Sequence, residues 1–180
     1  MLFRSGASSE ALLAANAGAQ SETLYAASAA LERTAAELRG EPEVTVVLDG
    51  RHPSRYVDGV PGVRRLPDGT TLDIGQLVNL AGCSRSRACT DAELDATAPG
   101  RPWGPSNPRW RLYSYGPLAP SGPALHTDLP LFVVTMVADD PAETDAAPWV
   151  DGGGATSPAN PGAGVLLDRK GTRLNSSHGY

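Results

Sequence analysis

The chain has 180 residues, a formal net charge of −5, 41% apolar residues and 6% aromatic residues. That length is enough for one domain with a real core, while an acidic chain without a basic stripe excludes nucleic acid as a partner, because phosphate neutralisation supplies most of that affinity. No apolar run approaches the ~20 residues needed to span a bilayer, and 20 glycines with 16 prolines favour a loop-rich domain.

The first residues, Met1 to Ser5 (MLFRS), fit the end of a sequencing-library adapter read as GTG CTC TTC CGA TCT, with GTG as a start codon. They are expected to be foreign to the fold. Gly6 to Arg39 then reads as one long amphipathic helix. Apolar residues recur near the 3.6-residue period at Leu13, Leu24, Ala27, Leu31, Ala35 and Leu38, with the charges largely elsewhere. No proline interrupts it, and Gly40 and Pro42 supply a stop. The stripe Leu13, Leu24, Leu31, Leu38 is expected to bury against a sheet from about Leu24 onward. The turns carrying Leu12, Leu13 and Asn16 are expected to project beyond it.

After the helix, Glu43 to Leu48 (EVTVVL) is β-branched enough for a short strand. Val63 to Leu66 and Thr70 to Ile74 flank Pro67-Asp68-Gly69, a turn sequence that predicts a hairpin. Leu77 to Leu80 is a short apolar segment leading into the loop between Cys83 and Cys89. Arg101 to Asn107 is a Pro/Gly loop carrying Trp103. Trp110 to Tyr115 predicts a strand, and Leu131 to Ala138 (LFVVTMVA) the most apolar, central strand. Ala147 to Pro161 reads as a long loop, and Gly164 to Leu167 begins a further strand.

The tail Asp168 to His178 (DRKGTRLNSSH) resembles, with one residue changed, the frame translation of the matching adapter, which has AGC where Gly171 needs GGC. Lys170 is the only lysine of the chain and lies in that tail. Scars of this kind are left out of fold reasoning. The expected organisation is therefore an adapter-derived head (1–5), a helix (6–40), a truncated loop-rich β domain (41–167) and an adapter-derived tail (168–180). Without the flanks, 11 basic and 19 acidic residues remain, a net charge of −8.

Few residues carry chemistry. Cys83 and Cys89 close a loop with five residues between them, which suits a structural disulfide or two free thiols. A metal site would want further soft ligands at ligand spacing, and a redox pair is more often C-x-x-C. Asp139, Asp140, Glu143, Asp145 and Asp151 follow the apolar strand. They read either as a solvated acidic turn or as oxygen ligands for Ca²⁺, which takes six to eight, although the D-x-D-x-D-G spacing is missing. No nucleophile or phosphate-binding motif occurs, and His52 and His126 are isolated. Trp103, Trp110, Tyr113 and Tyr115 offer either a binding face or core anchors.

The segments SSEALLAANAG and YAASAALERTAAEL are similar to the second half of the N-terminal helix of PilX-like type IV pilus assembly proteins. RPWGPSNPRWRLYSYGPL, FVVTMVADDPAETD and NPGAGVLL resemble the body of large proteins in that group. The resemblance implies an α+β, pilin-like fold, one long helix packed on an antiparallel sheet, incomplete at both ends. It implies a non-catalytic minor pilin-like subunit of the bacterial cell envelope, contacting other pilin subunits through N-terminal helices, without cofactor unless the acidic loop takes Ca²⁺. Its parent would carry a prepilin leader and an apolar half-helix that anchors it in the inner membrane. Pilins commonly carry a disulfide near the C-terminus, and the mid-chain Cys83–Cys89 loop departs from that pattern. Rival readings are a type II secretion pseudopilin and a secreted binding or carbohydrate-active domain.

Overall fold

A computed structural model describes residues 5–66, 69–118, 131–143, 147–152 and 164–173. Side chains are described in the first helix at Gly18 and from Gln20 onward. The fold is α+β. In chain order come α1 (Ser5–Arg39), α2 (Thr45–Leu48), β1 (Val63–Arg65), β2 (Thr71–Asp73), α3 (Ile74–Cys83), α4 (Asp91–Asp95), a 3₁₀ turn (Gly104–Ser106), β3 (Arg111–Leu118), β4 (Leu131–Asp139) and β5 (Val165–Arg173). β3, β4 and β5 form an antiparallel sheet with β4 in the middle, and β1 pairs with β2 as a separate hairpin.

All nine residues of β4 are buried. Its side chains alternate between two faces, and each face has its own cover. Phe132, Val134 and Met136 join Leu66 of the hairpin, Ile74 of α3 and Tyr115 of β3, with Leu72, Leu77 and Val78 packed around them. Leu131 and Val133 meet Ala26 and Ala30 of α1, and Val137 meets Leu38, Val47, Leu48 and Tyr113. A continuous apolar run is the sequence mark of a strand covered on both sides. The core is therefore three layers: α1 with α2, the sheet, and the hairpin with α3.

Between Leu112 and Ser114 the register of β3 slips. Such a bulge turns two consecutive side chains towards one face. Tyr113 packs with Leu38 while Ser114 reaches Thr135. Burial pushes the Tyr113 phenol up to about 12, with the Glu37 and Glu41 carboxylates adding to it. The outer edge of β3 is covered by 54–58, where Tyr115 N–H donates to Tyr56 O at 3.1 Å and Asp58 N–H to Tyr115 O at 2.9 Å.

The buried face of α1 is built from small residues. Ala26, Ala27, Ala30, Thr34 and Leu38 are buried, at spacings that stay on one side of a helix. Leu24, expected to open the buried stripe, is 57% exposed, and Leu31 is only half-buried. Close approach to the sheet selects alanine at Ala26, Ala27 and Ala30, Leu24 and Leu31 fall to the flanks, and Leu38 is buried as expected. The side chains of Leu12, Leu13 and Asn16 lie outside those described. A second correction concerns Glu43 to Leu48. Instead of a strand, Thr45–Leu48 forms one helical turn that buries Val47 and Leu48, so local β propensity yields to packing against β4.

The strand begun at Gly164 to Leu167 continues as β5 to Arg173, with Asp168–Arg173 opposite Met136–Leu131. Backbone pairing needs only N–H and C=O groups, so it reports the free edge of β4 and not the origin of the tail. Met1 to Arg4 and Leu174 to Tyr180 lie outside the described residues.

One polar group crosses the core. Thr135 Oγ1 is 3.0 Å from Thr34 Oγ1 and 2.6 Å from Ser114 Oγ, and all three residues are fully buried. Thr135→Val is expected to strand two buried hydroxyls and to lower stability by about 1–3 kcal/mol in chemical denaturation. Combining it with Thr34→Val and Ser114→Ala should recover most of that loss, since no buried polar group is then left unpaired.

Candidate functional site

Two features of the fold offer more than packing: the acidic end of β4 and the upstream length of α1. At the first, β4 delivers Asp139 as its last residue, 5% exposed. A tight turn follows, closed by Glu143 N–H donating to Asp140 O at 2.9 Å and by Ala142 N–H donating to Asp140 Oδ1 at 2.9 Å. The turn returns Glu143 beneath the strand end, where it is 1% exposed. Asp151 arrives from the next described segment, its N–H donating to Thr45 Oγ1 at 3.2 Å.

Asp139, Glu143 and Asp151 each bring a carboxylate oxygen to within 4.8 Å of the others. Gly152 N–H donates to Glu143 Oε2 and Gly164 N–H to Asp151 Oδ1, both at 2.8 Å. A cavity of ≈ 10 Å³ adjoins them, lined by Asn107, Asp139, Asp140 and Glu143 among others. That is about the room one water-sized species needs. Three of the five acids singled out from the sequence therefore converge. Asp140 works as the turn's own acceptor, and Asp145 lies outside the described residues. The expectation of a solvated acidic turn is corrected for Asp139 and Glu143, because the turn folds them inward. Three carboxylates could supply part of the oxygen set of a hard cation.

Cys83 and Cys89 form a disulfide with Cα atoms 6.2 Å apart. Asp73 caps the start of α3 and Ser84, at φ 58°, ends it, so the chain turns out of the helix at Cys83. Thr90 and Glu93 form a capping box at α4. Arg87, inside the cystine loop, holds Glu93 through two bonds, and this pairing brings the Glu93 carboxyl down to about 2. Arg101 donates to the carbonyls of Glu93 and Ala96 from the following loop. The loop is thus tied into a small rigid lobe.

The remaining candidates settle into structural roles. Tyr113 and Tyr115 are core residues, and Tyr115 Oη donates to Gly59 O at 2.7 Å. Trp110 packs half-buried against the core. Trp103 is 43% exposed. His52 sits in a loop with Nδ1 2.5 Å from Glu41 Oε2, and His126 lies outside the described residues. Sequence reasoning passed over Arg109. It is 8% exposed and paired with Asp95, and nothing in the sequence pattern marks an arginine between Pro108 and Trp110 as buried.

Among the described side chains of α1 the fully buried positions begin at Ala26, after the half-buried Glu22 and Thr23. Gly18, Gln20, Ser21, Leu24 and Tyr25 are all exposed, Tyr25 at 69%. Among the described residues no helix is long and apolar enough to cross a membrane. Comparison with protein-family models, curated proteins and solved structures found no match to the chain.

We expect millimolar Ca²⁺ to raise the thermal midpoint by engaging the three carboxylates, and Asp151→Asn to remove that rise. Midpoints that coincide in Ca²⁺ and in a chelator would show the carboxylates to be held by protein groups alone.

Proposed function

We propose that this chain is a structural, non-catalytic subunit of a pilin-like filament of the bacterial cell envelope, a minor pilin whose α1 packs against the helices of other subunits. The observation that carries this reading is that Leu24 and Tyr25, large apolar side chains of α1, stand 57% and 69% exposed immediately upstream of its buried face. The helix has 35 residues, roughly 50 Å at 1.5 Å per residue. Among its described side chains the buried positions run from Ala26 to Leu38, roughly 20 Å of that length. Three strands at about 4.8 Å spacing offer no wider platform.

Other features agree with it. The resemblance in SSEALLAANAG and YAASAALERTAAEL falls on this helix. A disulfide suits an oxidising compartment such as the periplasm or cell exterior. In this reading partners are other pilin subunits, nucleic acid is not one, and the parent protein is anchored in the inner membrane before assembly. No cofactor is required, and a cation at the acidic turn would serve stability.

A type II secretion pseudopilin would use α1 in the same way, and the two differ in which assembly system incorporates the full-length protein. A sugar-binding platform on the Trp/Tyr strand is disfavoured because Tyr113 and Tyr115 are buried and Trp110 packs against the core, which leaves Trp103 as the exposed ring of that set.

Leu38→Ala is expected to destabilise the isolated domain by about 2–4 kcal/mol, as for a buried leucine. Leu13→Ala and Leu24→Ala should stay within about 0.5 kcal/mol of the parent, yet abolish incorporation of the full-length protein into filaments. Normal incorporation of both variants would overturn the proposal.

A further inference from the structure

The last turn of α1 and the loop after α2 enclose a cavity of ≈ 320 Å³, lined by Ala36, Glu37, Glu41, His52, Arg55 and Tyr113 among others. Sites for small molecules begin at about that size. Side chains tie the loop across it. Glu37 accepts from Ser54 Oγ at 2.5 Å and from Arg55 Nε at 2.9 Å, while Glu41 meets His52 Nδ1 through Oε2 at 2.5 Å. Two carboxylates of the wall thus face one guanidinium and an imidazole. The C-terminal end of a helix adds partial negative charge at the same place.

Tyr113 completes the wall. The residue is 6% exposed, and burial followed by the Glu37 and Glu41 carboxylates raises its phenol to about 12, with Arg55 opposing. Its oxygen therefore sits among the charged side chains that line the cavity. No described residue hydrogen-bonds the Tyr113 hydroxyl or Glu41 Oε1, and neither atom is shut off from water. A phenol held in the core with its polar end unpaired calls for a partner. Among the described residues, the side chains gathered closely enough for a metal ion are Asp139, Glu143 and Asp151, away from this wall. An ammonium group, with three donors and one charge, suits the two open oxygens.

We propose that this cavity binds a small primary amine as its ammonium ion. The ammonium donates to Glu41 Oε1 and Tyr113 Oη, and the alkyl part lies against Ala36 and Pro53. The site is at the other end of α1 from Leu24 and Tyr25 and does not depend on filament assembly.

Butylamine, charged at neutral pH, titrated into the full chain in amine-free buffer of low salt and followed by calorimetry, tests it. Butylamine should bind saturably with Kd of about 1 mM or tighter. Butanol, which lacks the charge, should bind at least about tenfold more weakly. Glu41→Gln should weaken butylamine about tenfold, and Tyr113→Phe, which keeps the ring, about fivefold. Should Tyr113→Phe fail to fold by circular dichroism, Ala36→Trp replaces it. Ala36 is exposed and lines the cavity, so the indole fills the space and butylamine binding should be lost. Equal affinity for butylamine and butanol, no saturable butylamine signal, or unchanged butylamine affinity in Glu41→Gln would each overturn the proposal.

Discussion

The double-sided burial of β4 governs this fold. A strand with nine consecutive buried residues is stable only if apolar cover reaches both of its faces, and the chain supplies it from two successive segments that precede the strand. α1 and α2 arrive before the sheet is made and cover Leu131, Val133 and Val137. The hairpin and α3 cover Phe132, Val134 and Met136. Thr135 is the one polar side chain in the middle of the strand, and its hydroxyl is matched on both sides by Thr34 and Ser114. That match favours one seating of α1 along the strand, because a slip of one turn would separate the buried Thr34 hydroxyl from Thr135, which keeps Ser114.

Fixing the helix in this way also decides what it leaves uncovered. A flat sheet is approached most closely through small side chains, so Ala26, Ala27 and Ala30 face it and the bulkier Leu24 and Tyr25 do not. Upstream of them Gly18, Gln20 and Ser21 are exposed as well, with Glu22 and Thr23 half-buried. An isolated helical stretch is marginal in water. The exposed Leu24 and Tyr25 on such a stretch are the physical basis for the filament proposal.

Much of this was legible from residue pattern. The run LFVVTMVA announced a central strand, Pro67-Asp68-Gly69 a hairpin, and the cysteine spacing allowed a disulfide. Each rests on local chemistry: apolar continuity, turn residues, loop length. What was not legible depends on tertiary contact. The β-branched Val44, Val46 and Val47 argued for a strand, yet α2 forms there because Leu48 and Val47 find β4. The stripe of leucines on α1 argued for one buried face, which holds at Leu38 but not at Leu24, where the sheet is approached through Ala26, Ala27 and Ala30 instead. The acidic residues were visible as a cluster, while the burial of Glu143 and the arrival of Asp151 depend on a turn and on a later segment. Thr90-x-x-Glu93 was readable as a helix start and went unread. Arg109 had no readable signal, since its burial comes from α4 and the pocket around it.

Native-state hydrogen exchange along α1 tests the central claim most directly. If sheet cover alone stabilises the helix, amides from Ala30 to Leu38 exchange with nearly the global unfolding free energy, and those from Gly18 to Tyr25 exchange through local fraying, several-fold to many-fold faster. Uniform protection from Gly18 to Leu38 would contradict the account, because it would require a second surface holding the upstream turns within the single chain.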